Sequence, residues 1–216
     1  MDEIRIKKFT FNNFQENTYV VFNKKGDAYI FDPGNSTPAE DQFLFNYIEN
    51  NNLTPIALIN THCHIDHILG NKAVLEKYDI PFWAPNGEQM VLESGKVSAS
   101  MYGIPYQTSP QPNKWIETDH TMGLDGEEWI LLSSPGHSPA SMVFYLPSAG
   151  FAIAGDVLFR ESIGRTDLPG GNHETLLRNI QEKLYTLPDD TIIYPGHGPE
   201  TTIGHEKRNN PFVREI

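Results

Sequence analysis

Cysteine is nearly absent from this sequence of 216 residues, and its one example, Cys63, has no second thiol with which to form an internal disulfide. Disulfides are typical of secreted proteins, so their absence favours a reducing compartment. The first nine residues, MDEIRIKKF, carry charges where a signal peptide needs an apolar run. These features predict a cytoplasmic protein.

Long hydrophobic runs and an excess of positive charge are also lacking. No segment approaches the roughly 20 apolar residues that are needed to cross a bilayer. The net charge is −12, without a dense cluster of Lys and Arg. Such a charge repels a phosphate backbone. We therefore expect neither a membrane nor a nucleic acid as a partner, and no oligomeric state is predicted.

The composition that remains is typical of a folded globular protein, with 38% hydrophobic and 20% charged residues. The length fits one large α/β domain or two small ones. We take residues 1–216 as a single domain.

Periodicity predicts strands and helices in two similar rounds. Short runs rich in Ile, Val, Phe and Tyr predict strands at 4–9, 18–23, 28–32, 56–59, 129–133, 142–146, 151–154 and 191–194. Apolar residues at helical spacing predict helices from Thr37-Pro38 through Ile48 and at 66–78, 85–100 and 173–186. The Pro-rich and Gln-rich stretch at 102–115 predicts an irregular surface loop. Two rounds of this kind favour two sheets packed face to face with helices outside, a layered α/β sandwich.

The strongest feature is THCHIDH at residues 61–67, which places three imidazoles and one carboxylate just after a predicted strand. A polar turn satisfied by hydrogen bonds is a poor explanation for that density of ligand types. Alternate residues of an extended segment point to the same side, so His62 and His64 can share one ion while Cys63 faces away.

The end of the same stretch indicates a second ion. Asp66 is placed to begin the next helix, and His67 then points in another direction from the first pair. Imidazole and carboxylate together favour Zn²⁺, Fe or Mn²⁺ over Ca²⁺ or Mg²⁺. These residues are too few for two ions, so the rest of the chain must supply more ligands.

Ligand types follow three later predicted strands. In each case a Gly precedes the polar residue and allows a sharp turn at the rim of a sheet. The three are His137 in SPGH, Asp156 in AGD and His197 in YPGH. Each alone could be an ordinary turn, but together they predict strand ends that converge on one edge. The other histidines, His120, His173 and His205, lack such context and are predicted to be surface or capping residues.

These motifs resemble those of the metallo-β-lactamase fold: HxHxDH, a later PGH, GD and a final PGH. Within that fold the chain most resembles the short glyoxalase II-like hydrolases, from Asn17-Thr18 through Phe212. Less specific matches are DPG at 32–34, GDVLFRESIGRTDLPGG at 155–171 and PGHGPETTIGHEKRNNPF at 195–212. The resemblance implies a four-layer αββα sandwich.

The resemblance also implies the ligands of a two-metal centre, with Zn as the first choice and Fe or Mn as alternatives. His62, His64 and His137 would bind the first metal, Asp66, His67 and His197 the second, and Asp156 would bridge them. The catalytic residues would then be Asp66, which would orient the nucleophile, and the bridging Asp156.

By the same resemblance, the substrate is an acyl thioester of the 2-hydroxyacyl-glutathione type. In the longer glyoxalase II enzymes a Lys soon after the bridging Asp helps to hold glutathione, and Arg165 occupies the similar place. A surface ion pair between Arg165 and Asp167 is an equally open interpretation.

The longer enzymes continue into a helical domain that grips glutathione, whereas this chain ends 19 residues after His197. We therefore expect no separate C-terminal helical domain. Recognition of the thiol carrier would be rebuilt from Lys207 and Arg208, unless these residues form only a solvated tail.

The implied mechanism is attack by a metal-bridging hydroxide. Two divalent ions lower the pKa of a shared water from ~16 toward ~7, and one ion can polarise the thioester carbonyl. A thiol with a pKa of ~8.5 leaves as thiolate without a dedicated general acid.

An iron-dependent persulfide dioxygenase is the main alternative function. Those enzymes also resemble this chain, through an HCHxDH stretch and a GRTD segment like residues 164–167, and they use a single iron. The acidic charge disfavours a nuclease of the same fold, and the lack of a signal peptide disfavours a secreted β-lactamase. A degenerate binding module is disfavoured because all seven ligand positions are filled.

Overall fold

A computed structural model of the protein describes residues 4–124 and 126–213. Six strands of its first half form one mixed sheet, in which the spatial order follows the chain order. The strands are β1 (Arg5–Phe11), β2 (Glu16–Phe22), β3 (Asp27–Phe31), β4 (Thr54–Ile59), β5 (Phe82–Pro85) and β6 (Lys114–Ile116). Neighbours pair antiparallel from β1 to β3 and parallel from β3 to β6.

The second half repeats this scheme of an antiparallel meander followed by a parallel strand. Its strands are β7 (Gly123–Leu124), β8 (Glu127–Glu128), β9 (Ile130–Ser133), β10 (Met142–Leu146), β11 (Phe151–Gly155), β12 (Leu158–Phe159), β13 (Ser162–Ile163), β14 (Ile192–Pro195) and β15 (Thr201–Thr202). Five of them form the second sheet in the order β15-β14-β11-β10-β9, and β14 runs parallel to β11. The two predicted rounds of strands are thus confirmed.

The helices are α1 (Pro38–Asn50), α2 (Ile65–Ile68), α3 (Asn71–Lys77), α4 (Gln89–Glu93), α5 (Gly95–Tyr102), α6 (His173–Asn179) and α7 (Ile203–Asn209). A π-helical segment, Ile180–Leu184, continues α6. The start of α1 is fixed by a capping box, in which Thr37 accepts from the backbone N–H of Glu40 and the Glu40 carboxylate accepts from that of Thr37. Within the described ranges, none of the helices has the length and apolar character that a bilayer span requires.

Two predicted helices have wrong bounds. The one expected at 85–100 begins only at Gln89, because Pro85 ends β5 and pairs with Ile116 of β6. The one expected at 66–78 is interrupted at Gly70, whose N–H donates to the backbone oxygen of Pro33 instead of continuing α2. In both places a tertiary contact overrides the helical periodicity.

Three apolar cores separate four layers, which confirms the αββα sandwich. One core lies between the first sheet and α1 to α5, one between the two sheets, and one between the second sheet and the α6 and α7 layer. Strand β10 shows the alternation that builds them, since Phe144 packs in the central core and Val143 in the outer one. The predicted single domain, residues 1–216, extends beyond the described residues at both ends and stays a prediction.

A glycine substitution tests the packing of the loop after β9. At Gly136, φ is +138°, and an added Cβ would lie 2.5 Å from the backbone nitrogen of Leu176 in α6. Gly150 has a φ of +68° with nothing within 4 Å of an added Cβ, so it is a matched control. We expect Gly150→Ala to lower the free energy of unfolding by about 1 kcal/mol. For Gly136→Ala we expect roughly 1–3 kcal/mol more, because backbone must move.

Urea unfolding of both variants measures the difference. Equal losses would contradict the packing of this loop against α6.

Candidate metal centre

The loop after β4 carries the first set of predicted ligands. His64 is still extended, with φ −63° and ψ 153°, and α2 begins at the next residue. Asp66 and His67 therefore lie in the first turn of a helix, as predicted. Cys63 is fully buried in the apolar core on the other side of the loop, which agrees with the prediction that it is not a ligand.

The other three predicted ligands lie at the carboxyl ends of β9, β11 and β14, and their convergence on one edge is confirmed. Asp156 Oδ2 lies 3.4 Å from His137 Nε2 and 3.5 Å from His197 Nε2. Gly196 permits this approach, since an added Cβ would lie 2.1 Å from Asp156 Oδ1. The Gly before His197 is thus required by the close packing of Asp156.

His62, His64 and His137 form what we call the first group. Their nitrogen ligand atoms all lie within 4.8 Å of one another. The closest pair, His64 Nδ1 and His137 Nε2, is 2.9 Å apart. This spacing suits three ligands of a single ion.

Asp66, His67 and His197 form the second group, with ligand atoms that also lie within 4.8 Å of one another. Asp66 Oδ2 is 3.0 Å from His197 Nε2 and 3.6 Å from His67 Nε2. Asp156 stands between the groups, because its Oδ1 is 3.3 Å from His67 Nε2 while its Oδ2 faces His137. This is the placement expected of a bridging ligand.

The imidazoles are oriented by oxygens on the side away from the cluster, which fixes the nitrogen that each presents to an ion. His67 Nδ1 faces Asp32 Oδ2 at 3.2 Å, His137 Nδ1 bonds to the backbone oxygen of Arg165 at 2.8 Å, and His197 Nδ1 bonds to that of Phe14 at 3.1 Å. Asp32 thus supports the ring of His67 from the side away from the cluster. The two backbone oxygens were missed, because a carbonyl leaves no signal in the sequence.

Buried atoms without partners test whether these residues fit a metal. His62 Nε2, His67 Nε2 and Asp156 Oδ1 are buried and make no hydrogen bond. Most buried polar atoms in proteins are satisfied, and all three point into the same cluster. Nitrogen and carboxylate donors in this number fit divalent transition metals such as Zn, Fe or Mn.

Two residues of the first group, His62 and His64, are electrostatically prepared to stay unprotonated. Burial, with help from the neighbouring imidazoles, lowers the pKa of His62 well below its usual value. Burial and His137 lower the pKa of His64 to about 4. Metal ligation requires the neutral imidazole, and with these lowered pKa values protons do not compete for His62 and His64 at neutral pH.

The second group attracts positive charge instead. Burial lowers the pKa of His67, but Asp156, Asp66 and Asp32 outweigh it and raise that pKa well above its usual value. In return, His67 outweighs the burial of Asp156 and holds the pKa of that carboxyl well below its usual range. The carboxylates of this group therefore favour a cation beside His67.

Glu16 is a further acidic residue of the site that sequence reasoning missed. Its side chain is fully buried, its Oε2 accepts from the Thr18 hydroxyl at 2.9 Å, and its Oε1 lies 3.9 Å from His67 Nδ1. Burial raises the pKa of Glu16 well above its usual value. A lone Glu at the start of β2 gives no motif by which it could have been found.

The predicted substrate-binding residues lie in different places. Arg165 is beside the cluster through its backbone oxygen, but its exposed guanidinium makes two 2.7 Å bonds to Asp167. Lys207 Nζ bonds to Asp189 at 2.7 Å, and Arg208 lies 3.9 Å from the same carboxylate. Asp189 precedes β14, whereas His197 follows it, so the structure does not bring Lys207 and Arg208 to the cluster.

The three remaining histidines lie outside the ligand clusters of the described residues. His205 pairs with Glu161 at 2.9 Å, and His120 lies 2.8 Å from Lys114 Nζ. His173 is the first residue of α6. These placements agree with the prediction that they are surface or capping residues.

Comparison with known proteins places this geometry among metal-dependent hydrolases. The metallo-beta-lactamase superfamily matches residues 12–197. Hydroxyacylglutathione hydrolase GloC of Haemophilus influenzae is 37% identical over 93% of each chain. The crystal structure of BLEG-1, a B3 metallo-beta-lactamase, is 36% identical with a TM-score of 0.89, covering 97% of this chain and 99% of that one. A di-iron-bound form of TTHA1623 is 34% identical with a TM-score of 0.86, covering 96% of this chain and all of that one.

Substitution of Asp156 tests whether this residue is a ligand shared by the first and second groups. Because its carboxylate lies within 3.5 Å of ligand nitrogens of both groups, we expect Asp156→Asn to weaken metal retention at both. His64→Ala removes a donor from the first group alone and is the matched comparison, expected to leave about one ion per chain. Elemental analysis after dialysis against a chelator gives the metal content, and circular dichroism checks the fold. Two retained ions in Asp156→Asn would refute its position as the shared ligand.

Proposed function

The chain belongs to the metallo-beta-lactamase superfamily, and we propose that it is a glyoxalase II-like hydrolase that cleaves an acyl thioester of the 2-hydroxyacyl-glutathione type. The observation that carries the proposal is the position of Asp156 between two complete ligand groups. The similarity to GloC of Haemophilus influenzae, named a hydroxyacylglutathione hydrolase, supports the substrate class. The net charge of −12 supports a small-molecule substrate over a nucleic acid.

The first group would hold one divalent ion and the second group another, with Asp156 shared. Zn is our first choice, while the di-iron-bound relative supports Fe as an alternative. Two bound ions would supply a water whose pKa is lowered toward ~7 and a Lewis-acid contact for a carbonyl oxygen.

Asp66 is the residue that we assign to orient the attacking water. Its side chain is 15% exposed and 3.0 Å from His197 Nε2, so it borders the open side of the cluster. Burial raises the pKa of Asp66, but His67 and the hydrogen bond from His197 outweigh it and lower that pKa below its usual value. The ionised carboxylate can accept a hydrogen bond from the water. This contact directs a lone pair of the water oxygen at the thioester carbon.

The leaving group needs little help from the protein. A thiol with a pKa of ~8.5 departs as thiolate once the tetrahedral species collapses, so no side chain has to protonate the sulfur. The carbon–sulfur bond breaks with its electron pair on sulfur, and the former water oxygen becomes part of the carboxylate product. The side chains of the site therefore serve mainly to position and to stabilise charge.

Three assays on protein of measured metal content test the proposal: thiol release from lactoylglutathione, oxygen uptake with glutathione persulfide, and hydrolysis of a chromogenic cephalosporin. We expect thiol release, lowered about 100-fold or more in Asp156→Asn, since a Lewis-acid metal is worth several kcal/mol. Oxygen uptake with one iron per chain would replace the proposal by the persulfide dioxygenase. Faster cephalosporin hydrolysis than thioester hydrolysis would favour the lactamase activity that BLEG-1 is named for.

Arg165 is the cation proposed to hold a carboxylate of the thiol carrier, in competition with Asp167. We expect Arg165→Gln to raise KM for lactoylglutathione a few-fold with little change in kcat, because the contact is equal in ground and transition states. Asp167→Asn frees the guanidinium and is expected to lower KM. Steady-state kinetics decide, and an unchanged KM in both variants would remove Arg165 from the substrate site.

A further inference from the structure

Glu88 is a fully buried carboxylate in the turn between β5 and α4, and no motif in the sequence marks it. Both of its oxygens accept hydrogen bonds. Its Oε2 accepts from the backbone N–H of Cys63 at 2.9 Å and its Oε1 from that of Ala140 at 2.8 Å. The hydroxyl of Ser138, itself fully buried, lies 2.7 Å from both oxygens.

The donors belong to the two loops that carry the first group. Cys63 stands between His62 and His64, while Ser138 directly follows His137. A single carboxylate therefore ties the loop after β4, in one sheet, to the loop after β9, in the other. His64 Nδ1 and His137 Nε2, which lie 2.9 Å apart, are thus carried by the two loops that this carboxylate joins.

The second group is held by different contacts. The backbone oxygen of His67 accepts from Asn60 Nδ2 at 3.0 Å, and its ring faces Asp32. The ring of His197 is held by the backbone oxygen of Phe14. The hydrogen bonds of Glu88 described above come from Cys63, Ser138 and Ala140, and none of them involves Asp66, His67 or His197.

We propose that Glu88 is a positioning residue that joins the two loops of the first group and thereby sets the affinity of that group for its metal ion. The inference rests on the ligand set of the proposed function and is independent of the thioester substrate. Glu88 would act on the metal ion indirectly, because it contacts the loop backbone and Ser138 and not the ion itself.

The ionised carboxylate is the form that this contact requires. Burial raises the pKa of Glu88 above its usual value, and the hydrogen bonds from Ser138, Cys63 and Ala140, which favour the charged form, oppose that rise. An amide offers one acceptor oxygen, and its NH₂ would meet the backbone N–H of either Cys63 or Ala140. Glu88→Gln thus breaks one of the two backbone ties without changing the volume of the side chain.

Glu206 offers a matched control. Its side chain is also fully buried and also accepts three hydrogen bonds, from Thr201, Glu161 and Asn210, but it joins α7 to the β12–β13 turn instead of the ligand loops. Glu206→Gln therefore reports the general cost of placing an amide at a buried carboxylate position.

The experiment is a Zn²⁺ competition titration against a chromogenic chelator on metal-free wild type, Glu88→Gln and Glu206→Gln. We expect Glu88→Gln to weaken one of two Zn²⁺ sites by about 10- to 100-fold, as for other residues that orient metal ligands. The second site should be unchanged, and Glu206→Gln should match the wild type. Co²⁺ spectra should show the change in the same site.

Double variants identify the affected site. Glu88→Gln should add no further loss to His64→Ala, which already lacks a donor of the first group. In a His197→Ala background, Glu88→Gln should weaken the binding of the remaining ion as much as it does in the wild type. If the loss of affinity caused by Glu88→Gln adds fully to the loss caused by His64→Ala as well as to that caused by His197→Ala, the inference is overturned.

The outcomes separate this inference from the proposed function. Two tight sites in the wild type and in folded Glu88→Gln would overturn the role of Glu88 alone, as would equal losses in Glu88→Gln and Glu206→Gln. A wild type that binds no ion would overturn the ligand set and with it this inference. If Glu88→Gln does not fold, Ser138→Ala decides: we expect a smaller loss confined to the same site, and no loss would refute the tie.

Discussion

The carboxylate of Asp156 is the point on which the arrangement of the site depends. Its two oxygens lie 3.3 to 3.5 Å from nitrogens of three histidines, which come from both halves of the chain. A buried carboxylate needs compensating positive charge or hydrogen bonds, and Asp156 Oδ1 has no hydrogen-bond partner. The surrounding imidazoles and the carboxylates behind them therefore form one pocket that is suited to cations.

The layered packing explains why these residues can meet. Each sheet buries one face in the central core and the other under helices, so the polar loops are confined to the strand ends. At the site the sheets are also joined directly. The backbone N–H of Met142 in β10 donates to Thr61 at 2.9 Å, and that of Asn17 in β2 donates to Gly196 at 2.7 Å. The ligand loops are thus anchored to the opposite sheet as well as to their own.

The relatives show how little the scaffold alone says about the substrate. Chains named for hydroxyacylglutathione hydrolysis and for B3 β-lactamase activity match this one at 37% and 36% identity. What they share is the metal-binding architecture, whereas the substrate is selected by groups around it. Here the Arg165 guanidinium is paired with Asp167, so an anion that bound to it would compete with a charge of the protein itself.

The sequence by itself determined the ligand types and the two rounds of strands, because the spacing of THCHIDH, the Gly-led strand ends and the apolar alternation are local properties. It also predicted that Cys63 faces away from the metal side. Tertiary structure alone decided the rest. Glu16 and Glu88 lie in no motif and become part of the site only when β2 and the turn after β5 are packed against the ligand loops. Lys207 and Arg208 follow His197 closely in sequence, yet β14 and α7 direct them to Asp189, because strand and helix geometry, and not separation along the chain, sets which charges meet.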